Sequence, residues 1–301
     1  MMMNRKVSAV LVSMVMFTTT ISAQSDGGNT GLFKQEELKQ VATNFAFTEG
    51  CSADKEGNIF FTDQPNDKLW KYGIDGKTTL FLDKTGRANG TFFDKKGNLI
   101  LCADESGELR SVDKKGNVKI IAKGFQDKQL NGPNDLWINS SGITFFTDPY
   151  YQRDYWTRQT ADIPHQSVYM ILKGSTIIQL AADSLNQPNG IVGSADGKYL
   201  YVADAGAGKT FRYNINPGGK LSNKILLISK GSDGMTLDDK GNIYLTGNGV
   251  TIYSPDGQKI GQIKVPEGTS NVCFGGPKKN VLFITAKTSL YAIPMLVKGV
   301  E

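Results

Sequence analysis

One short pattern recurs along this chain, and its spacing leaves few folds open. A polar residue opens an apolar run, and a turn glycine follows eight positions later. The pairs are Glu49 with Gly57, Asn89 with Gly97, Asn134 with Gly142, Asn189 with Gly197 and Asp233 with Gly241. A weaker sixth copy opens at Asn271, with Asn280 standing where the first copy has Asn58. Successive openings are 40, 45, 55, 44 and 38 residues apart. A repeat of that length holds one four-stranded sheet, so the chain is predicted to be all-β, a six-bladed β-propeller.

The local signals agree. Ile59-Phe60-Phe61-Thr62, Leu99-Ile100-Leu101, Ile143-Thr144-Phe145-Phe146 and Tyr199-Leu200-Tyr201-Val202 are rich in the β-branched and aromatic residues that favour strands. Gly-Asn turns such as Gly57-Asn58, Gly97-Asn98 and Gly241-Asn242 follow, as tight hairpins require. Each inner strand then runs from the polar residue to the hairpin. The hairpins share one face of the ring and the polar residues gather near the other. Residues 41–45 are expected to add an outer strand to the last blade and so close the ring. A short helix near residues 34–41 is the only helical signal after the N-terminus.

The first 23 residues stand apart. Arg5 and Lys6 precede an uncharged, mostly apolar stretch over residues 7–21, and Ser22-Ala23 offers a cleavage point. This is the pattern of a signal peptide, too short for a stable span, so the expected organisation is a leader (1–23) and one propeller domain (24–301) in the periplasm or secreted, with no membrane span after cleavage. Losing Arg5 and Lys6 takes the net charge from +5 to +3, and no basic run stands out, so nucleic acid is not an expected partner. Cys51, Cys102 and Cys273 all fall in apolar strand patterns, where a thiol acts as a small hydrophobe. Cys51 and Cys273 hold the same place in the first and last blades, which leaves a disulfide between them open.

The chemistry is narrowed by one count. His165 is the only histidine, so a zinc site built from several histidines is excluded, and no G-x-S-x-G elbow or phosphate-binding glycine loop is present. The polar ring offers hard oxygen donors instead. Glu49 and Asp233 are carboxylates, and Asn134 and Asn189 are amides; if they converge near the axis they suit a divalent ion, with Ca²⁺ expected and Zn²⁺, Mg²⁺ and Mn²⁺ as other candidates. Taken singly, Asn or Asp before Gly is ordinary turn chemistry. The same offset in five repeats is harder to assign to turns. The aspartates that end the returning strands, Asp63, Asp104, Asp148 and Asp204, are read as turn caps, with contact to substrate or to the ligand residues as the alternative for Asp148 and Asp204. The 55-residue gap contains an aromatic-rich insertion after Asp148, with Tyr150, Tyr151, Arg153, Tyr155, Trp156, Arg158 and His165. It is either a wall of the polar funnel or a loop packed on its own blade.

At Phe47-Thr48-Glu49-Gly50, Asn131-Gly132-Pro133-Asn134-Asp135, Phe146-Thr147-Asp148-Pro149, Gln187-Pro188-Asn189-Gly190 and Ser232-Asp233-Gly234-Met235 the chain resembles the gluconolactonase / senescence marker protein 30 / luciferin-regenerating-enzyme family of six-bladed propellers. The likeness runs over about residues 38–295. It implies metal ligands at Glu49, Asn189 and Asp233, with Asn134 as a fourth ligand or a substrate contact. Cys51 stands where many members have Pro, and Gly132 where some animal members carry an Arg, so those members' substrate contacts do not transfer.

The resulting expectation is a metal-dependent hydrolase opening a sugar lactone such as glucono-1,5-lactone. Asp233 is the general base, Asn89 and Asn271 bind substrate hydroxyls, and Tyr151, Trp156 and His165 form the wall. The alternatives are a metal-stabilised propeller that binds carbohydrate or protein without turnover, and an organophosphate-type ester hydrolase. On inner strands, Trp137 and the equivalent Phe92 are expected to be buried between blades.

Overall fold

A computed structural model describes residues 31–300. The leader over residues 1–23 lies outside them. Among the described residues no helix is long and apolar enough to cross a membrane.

Six four-stranded antiparallel sheets stand in a ring. Their inner strands are Thr48–Ala53, Ala88–Phe93, Leu136–Ile138, Pro188–Gly193, Met235–Leu237 and Thr269–Gly275, and we number the blades 1 to 6 in that order. The chain crosses from each blade to the next, as the repeat predicts. Blade 6 is closed by the first described strand, Lys39–Thr43, which pairs antiparallel with Ser289–Pro294. This closing strand lies two residues N-terminal to the expected segment. It satisfies an edge that would otherwise be open, and it ties the two ends of the chain together. The expected helix shrinks to a 3₁₀ turn over Gln35–Glu37.

The hairpins show why the repeat is written as it is. In Asp54–Asn58, Asp94–Asn98, Asp113–Asn117 and Asp238–Asn242 the aspartate Oδ1 accepts the backbone N–H groups two and four residues on. Its Oδ2 accepts the Nδ2 of the closing asparagine at 2.7–2.9 Å. One carboxylate thus satisfies the donors that the turn leaves without a ladder partner.

Neighbouring blades are stitched at the inner strands. The hydroxyls of Thr62 and Thr147, on second strands, donate to the carbonyls of Asn89 and Asn189 in the following blade at 3.0 and 2.8 Å. Gly50 follows the ring residue Glu49 with φ +52°, and a Cβ there would stand 2.0 Å from the Asn89 carbonyl oxygen. Only glycine allows that approach. The apolar core then fills the wedges between sheets: Trp137 is buried against Gly193 of blade 4 and stacks near Phe145. Phe92, its equivalent, is only half-buried, because it stands at the rim of a cavity. Cys51, Cys102 and Cys273 are buried among apolar side chains, and the Cys51 thiol donates to the Phe283 carbonyl at 3.8 Å.

Candidate active site

The polar ring residues all lie within two residues of the start of an inner strand, so the fold delivers them to one mouth of the ring. Glu49, Asn89, Asn134, Asn189 and Asn271 are buried, while Asp233 keeps partial access to solvent. Glu49, Asn189 and Asp233 meet. Asn189 and Glu49 lie beside Asp233 and act on its carboxyl. The Asn189 Nδ2 donates to the Tyr151 hydroxyl at 3.1 Å. The Gly50 N–H donates to Glu49 Oε2 at 3.1 Å.

Two neighbouring carboxylates largely shielded from water cannot both ionise cheaply. Burial, and then the Asp233 charge, push Glu49 well above the usual carboxylate range, with Asp135 adding to the repulsion. Burial also raises Asp233, opposed by Asn189 and Glu49 beside it and by the Arg153 guanidinium. Among the described residues there is no metal-holding cluster of three or more His, Cys, Asp or Glu. The donor set is two carboxylates and amide oxygen, which fits a hard divalent cation that keeps water in its shell and does not fit a thiolate or imidazole site. The strained pair has the charge such an ion would neutralise.

The other expected residues fare differently. Asn134 and Asn89 sit in the ring with their backbone carbonyls committed to structure, accepting from the Gly90 N–H at 2.6 Å and the Thr62 hydroxyl at 3.0 Å, which leaves their side-chain amides for a ligand. Asn271 Oδ1 accepts the N–H of Val272 at 2.7 Å, a local turn that leaves only its Nδ2 for a ligand. Tyr151 belongs to the site through Asn189. Trp156 is the core of the insertion and not its inner surface: it is buried, stacks under the Arg158 guanidinium at 3.9 Å, and covers Gly132. His165 has an exposed side chain, and only its backbone carbonyl is held, by Asn131 Nδ2 at 3.2 Å.

The insertion is docked as a wall of the funnel. Three of the four strand-end aspartates cap as expected. Asp63 accepts the N–H groups of Ala46 and Phe47, Asp148 those of Asn131 and Gly132, and Asp204 those of Asn186 and Gln187, all at 2.8–3.1 Å. Each pair lies two and three residues before a ring position. Burial still pushes Asp148 up to about 7, against those two N–H groups.

Asp104 breaks the pattern and corrects its assignment as a turn cap. The equivalent donor in blade 2, the Arg87 N–H, is taken by Asp67 Oδ1 at 2.7 Å. Asp104 Oδ2 instead receives Arg153 Nε at 2.8 Å, the Tyr155 hydroxyl at 2.7 Å and Gln64 Nε2 at 3.2 Å. It therefore reaches from blade 2 to hold the insertion of blade 3. Arg158 clamps the same insertion by donating to the carbonyls of Leu130 and Asn131. Arg87 lies over the Tyr155 ring at 4.3 Å. A Cβ on Gly132 would meet Asp104 Oδ1 at 2.6 Å and Trp156 at 3.1 Å, so the glycine is what lets the latch and the wall share that space.

From the sequence Asp104 reads only as a cap, Arg153 only as part of the insertion and Asp135 only as part of a motif, with no role at the site for any of them. The one signal for Asp135 is that it follows a ring residue where four other blades have glycine.

The family described as SMP-30/Gluconolactonase/LRE-like region matches residues 47–288. The chain belongs to that family. A gluconolactonase of Zymomonas mobilis is 26% identical over 289 residues, covering 85% of this chain and 80% of that protein. Regucalcin of Xenopus laevis is 23% identical over 245 residues, covering 77% and 80%. Among solved structures, a gluconolactonase from Xanthomonas campestris superposes with a TM-score of 0.81 at 26% identity, covering 86% of this chain and 89% of that one. A calcium-binding regucalcin from Agrobacterium tumefaciens superposes at 0.74 with 21% identity, covering 86% and 94%, which speaks to the fold alone.

Proposed function

We propose that this chain is a divalent-metal-dependent hydrolase, using Ca²⁺, that opens a sugar lactone such as glucono-1,5-lactone. The observation that carries the proposal is the Glu49–Asp233 pair of carboxylates at the ring, with the Asn189 amide beside it. The chain's membership of a family that includes gluconolactonases supports the substrate class. Glu49, Asn189 and Asp233 would hold the ion, with Asn134 as a fourth donor. A bound divalent ion supplies Lewis-acid polarisation of a carbonyl oxygen.

The chain's own residues do the rest. Asp233 is the member of the pair with access to solvent, and it takes the proton from the attacking water. Asn189 and Arg153 both favour its ionised form, which a base requires. Tyr151 fixes the Asn189 amide by accepting from Nδ2, which leaves Oδ1 as the donor toward the ion. The remaining amides of Asn89 and Asn271, with the Tyr151 wall, would bind sugar hydroxyls.

The test is proton release from glucono-1,5-lactone, with Ca²⁺ and with excess EDTA, against the spontaneous rate. Acceleration that EDTA abolishes is expected. Asp233→Asn is expected to retain Ca²⁺ by calorimetry and to lose about a hundredfold or more in kcat. No acceleration with any divalent ion would sink the proposal in favour of a binding propeller. From residues 1–23 we further propose export to the periplasm or medium; a mature protein beginning elsewhere than Gln24 would contradict the cleavage point.

A further inference from the structure

One cavity among the described residues does not open on the polar ring. It has a volume of about 580 Å³ and lies at the other end of the inner strands, among the hairpins of blades 1 to 4. That size is typical of a small-molecule site. Its floor is aromatic. Phe60 meets Phe81 and Phe93 edge-on, with ring centroids 5.0 and 5.1 Å apart, and Phe81, Phe92 and Phe93 are only half-buried. Trp137 and Val300 of the C-terminal segment complete the lining.

The rim is charged, and unevenly so. Lys95, Lys96 and Lys114 line the cavity, and the ammonium groups of these three make no ion pair or hydrogen bond among the described residues. The Lys114 stem lies along the turn at Gly97, where an added Cβ would stand 3.1 Å from its Cε. The Lys71 ammonium sits 5.6 Å above the Phe60 ring. Asp54, Asp94 and Asp113 also line the cavity, yet both oxygens of each are already engaged by their own Gly-Asn turns. Those aspartates keep their charge and Glu56 adds a fourth carboxylate, but Lys55, Lys71, Lys95, Lys96, Lys114 and Lys279 all line the cavity, so six cationic groups face four anionic ones and the rim is net positive.

Lone surface lysines are ordinarily just solvated. Here three converge on half-exposed aromatic rings around one concavity, and that juxtaposition is what a ligand with two chemical halves requires. We propose that the hairpin-face cavity is a second binding site, separate from the polar ring, for a small amphipathic anion. A flat apolar body lies on Phe60, Phe81 and Phe93, and a single carboxylate or phosphate reaches Lys95, Lys96 and Lys114. The site is suited to an aromatic acid or a short acyl anion and not to the polyhydroxyl ligand expected at the ring.

The probe is 2-naphthoate, titrated calorimetrically into the purified protein at low salt, beside its uncharged carboxamide. One-to-one binding of naphthoate is expected, with the carboxamide about tenfold weaker. Replacing Lys95, Lys96 and Lys114 together by Gln is expected to weaken naphthoate three- to tenfold and leave the melting temperature in place, since such contacts at a partly exposed rim are individually small. Phe93→Ser is expected to weaken both ligands alike.

Equal affinity for the two ligands, absence of naphthoate binding at millimolar concentration, or indifference to the lysine changes would overturn the proposal. So would competition by gluconate, which would move the probe to the polar funnel. A dimer in sedimentation that the lysine variant dissociates would assign the face to a second copy instead.

Discussion

Replacing Asp104 by Asn tests whether the 149–165 insertion is a wall that is held in place. The change keeps the shape and removes the charge. In the native protein Asp104 is buried, and its Oδ2 receives Arg153 Nε at 2.8 Å and the Tyr155 hydroxyl at 2.7 Å. Breaking a buried ion pair by removing one partner costs about 3–5 kcal/mol. The Arg153 side chain retains 24% exposure, so water recovers part of that, and about 2 kcal/mol is the better figure. Arg158 still clamps the insertion independently, so the loss falls mainly on local docking. A local equilibrium weakened by about 2 kcal/mol shifts by roughly thirtyfold.

Arg153 lowers the Asp233 pKa and Tyr151 holds the Asn189 amide, so undocking removes wall contacts and also weakens the support of the Glu49–Asp233 pair. The expected result is a KM for the lactone raised about ten- to thirtyfold, a kcat lowered as well through the lost Arg153 charge beside Asp233, and faster amide exchange over residues 149–165. The melting temperature is expected to fall by less than the ~4–8 °C that a global loss of this size would give. Unchanged KM together with unchanged exchange would refute the latch. The exchange result stands even if the natural substrate is not a lactone, so failure of the latch and failure of the lactonase proposal are distinguishable.

Three further outcomes follow from the same geometry. Gly50→Ala places a Cβ 2.0 Å from the Asn89 carbonyl at φ +52°, and is expected to cost about 3 kcal/mol or more in denaturant unfolding; a neutral result would mean that blades 1 and 2 do not meet there. Trp137→Ala is expected to cost about 3–5 kcal/mol, and the half-buried Phe92→Ala about half as much, so equal losses would contradict the placement of Phe92 at a cavity rim. The third concerns pH. Glu49 and Asp233 both titrate above their unfolded values, so in chelator the native state holds the extra protons and stability falls as pH rises from the ordinary carboxylate range through the raised values. A divalent cation replaces those protons, so the rise in melting temperature on adding Ca²⁺ is expected to be larger at pH 8 than at pH 5. A rise independent of pH would place the ion elsewhere.

What the sequence alone determined here is whatever depends on spacing. The 38–55-residue period set the number of blades, and the eight-residue step from ring residue to turn glycine set which end of each inner strand faces the funnel. Strand alternation and hairpin chemistry act over a few residues, and they suffice to place Glu49, Asn189 and Asp233 at one mouth of the ring. Contacts between blades were beyond such reasoning, because they join residues that no local rule connects.

Asp104 occupies the same repeat position as Asp63, Asp148 and Asp204, and only its surroundings make it different. Asp67 supplies the cap in blade 2, and an insertion from blade 3 offers Arg153 and Tyr155 in place of backbone N–H groups. Trp156 read as an exposed wall aromatic and is instead the insertion's buried core, because Gly132 leaves a hollow for it on the neighbouring strand entry. The pattern along the chain assigns each side chain to a face. Which side chain then fills a given space, or meets a given charge, is decided by the packing of distant segments, and only the tertiary structure contains that.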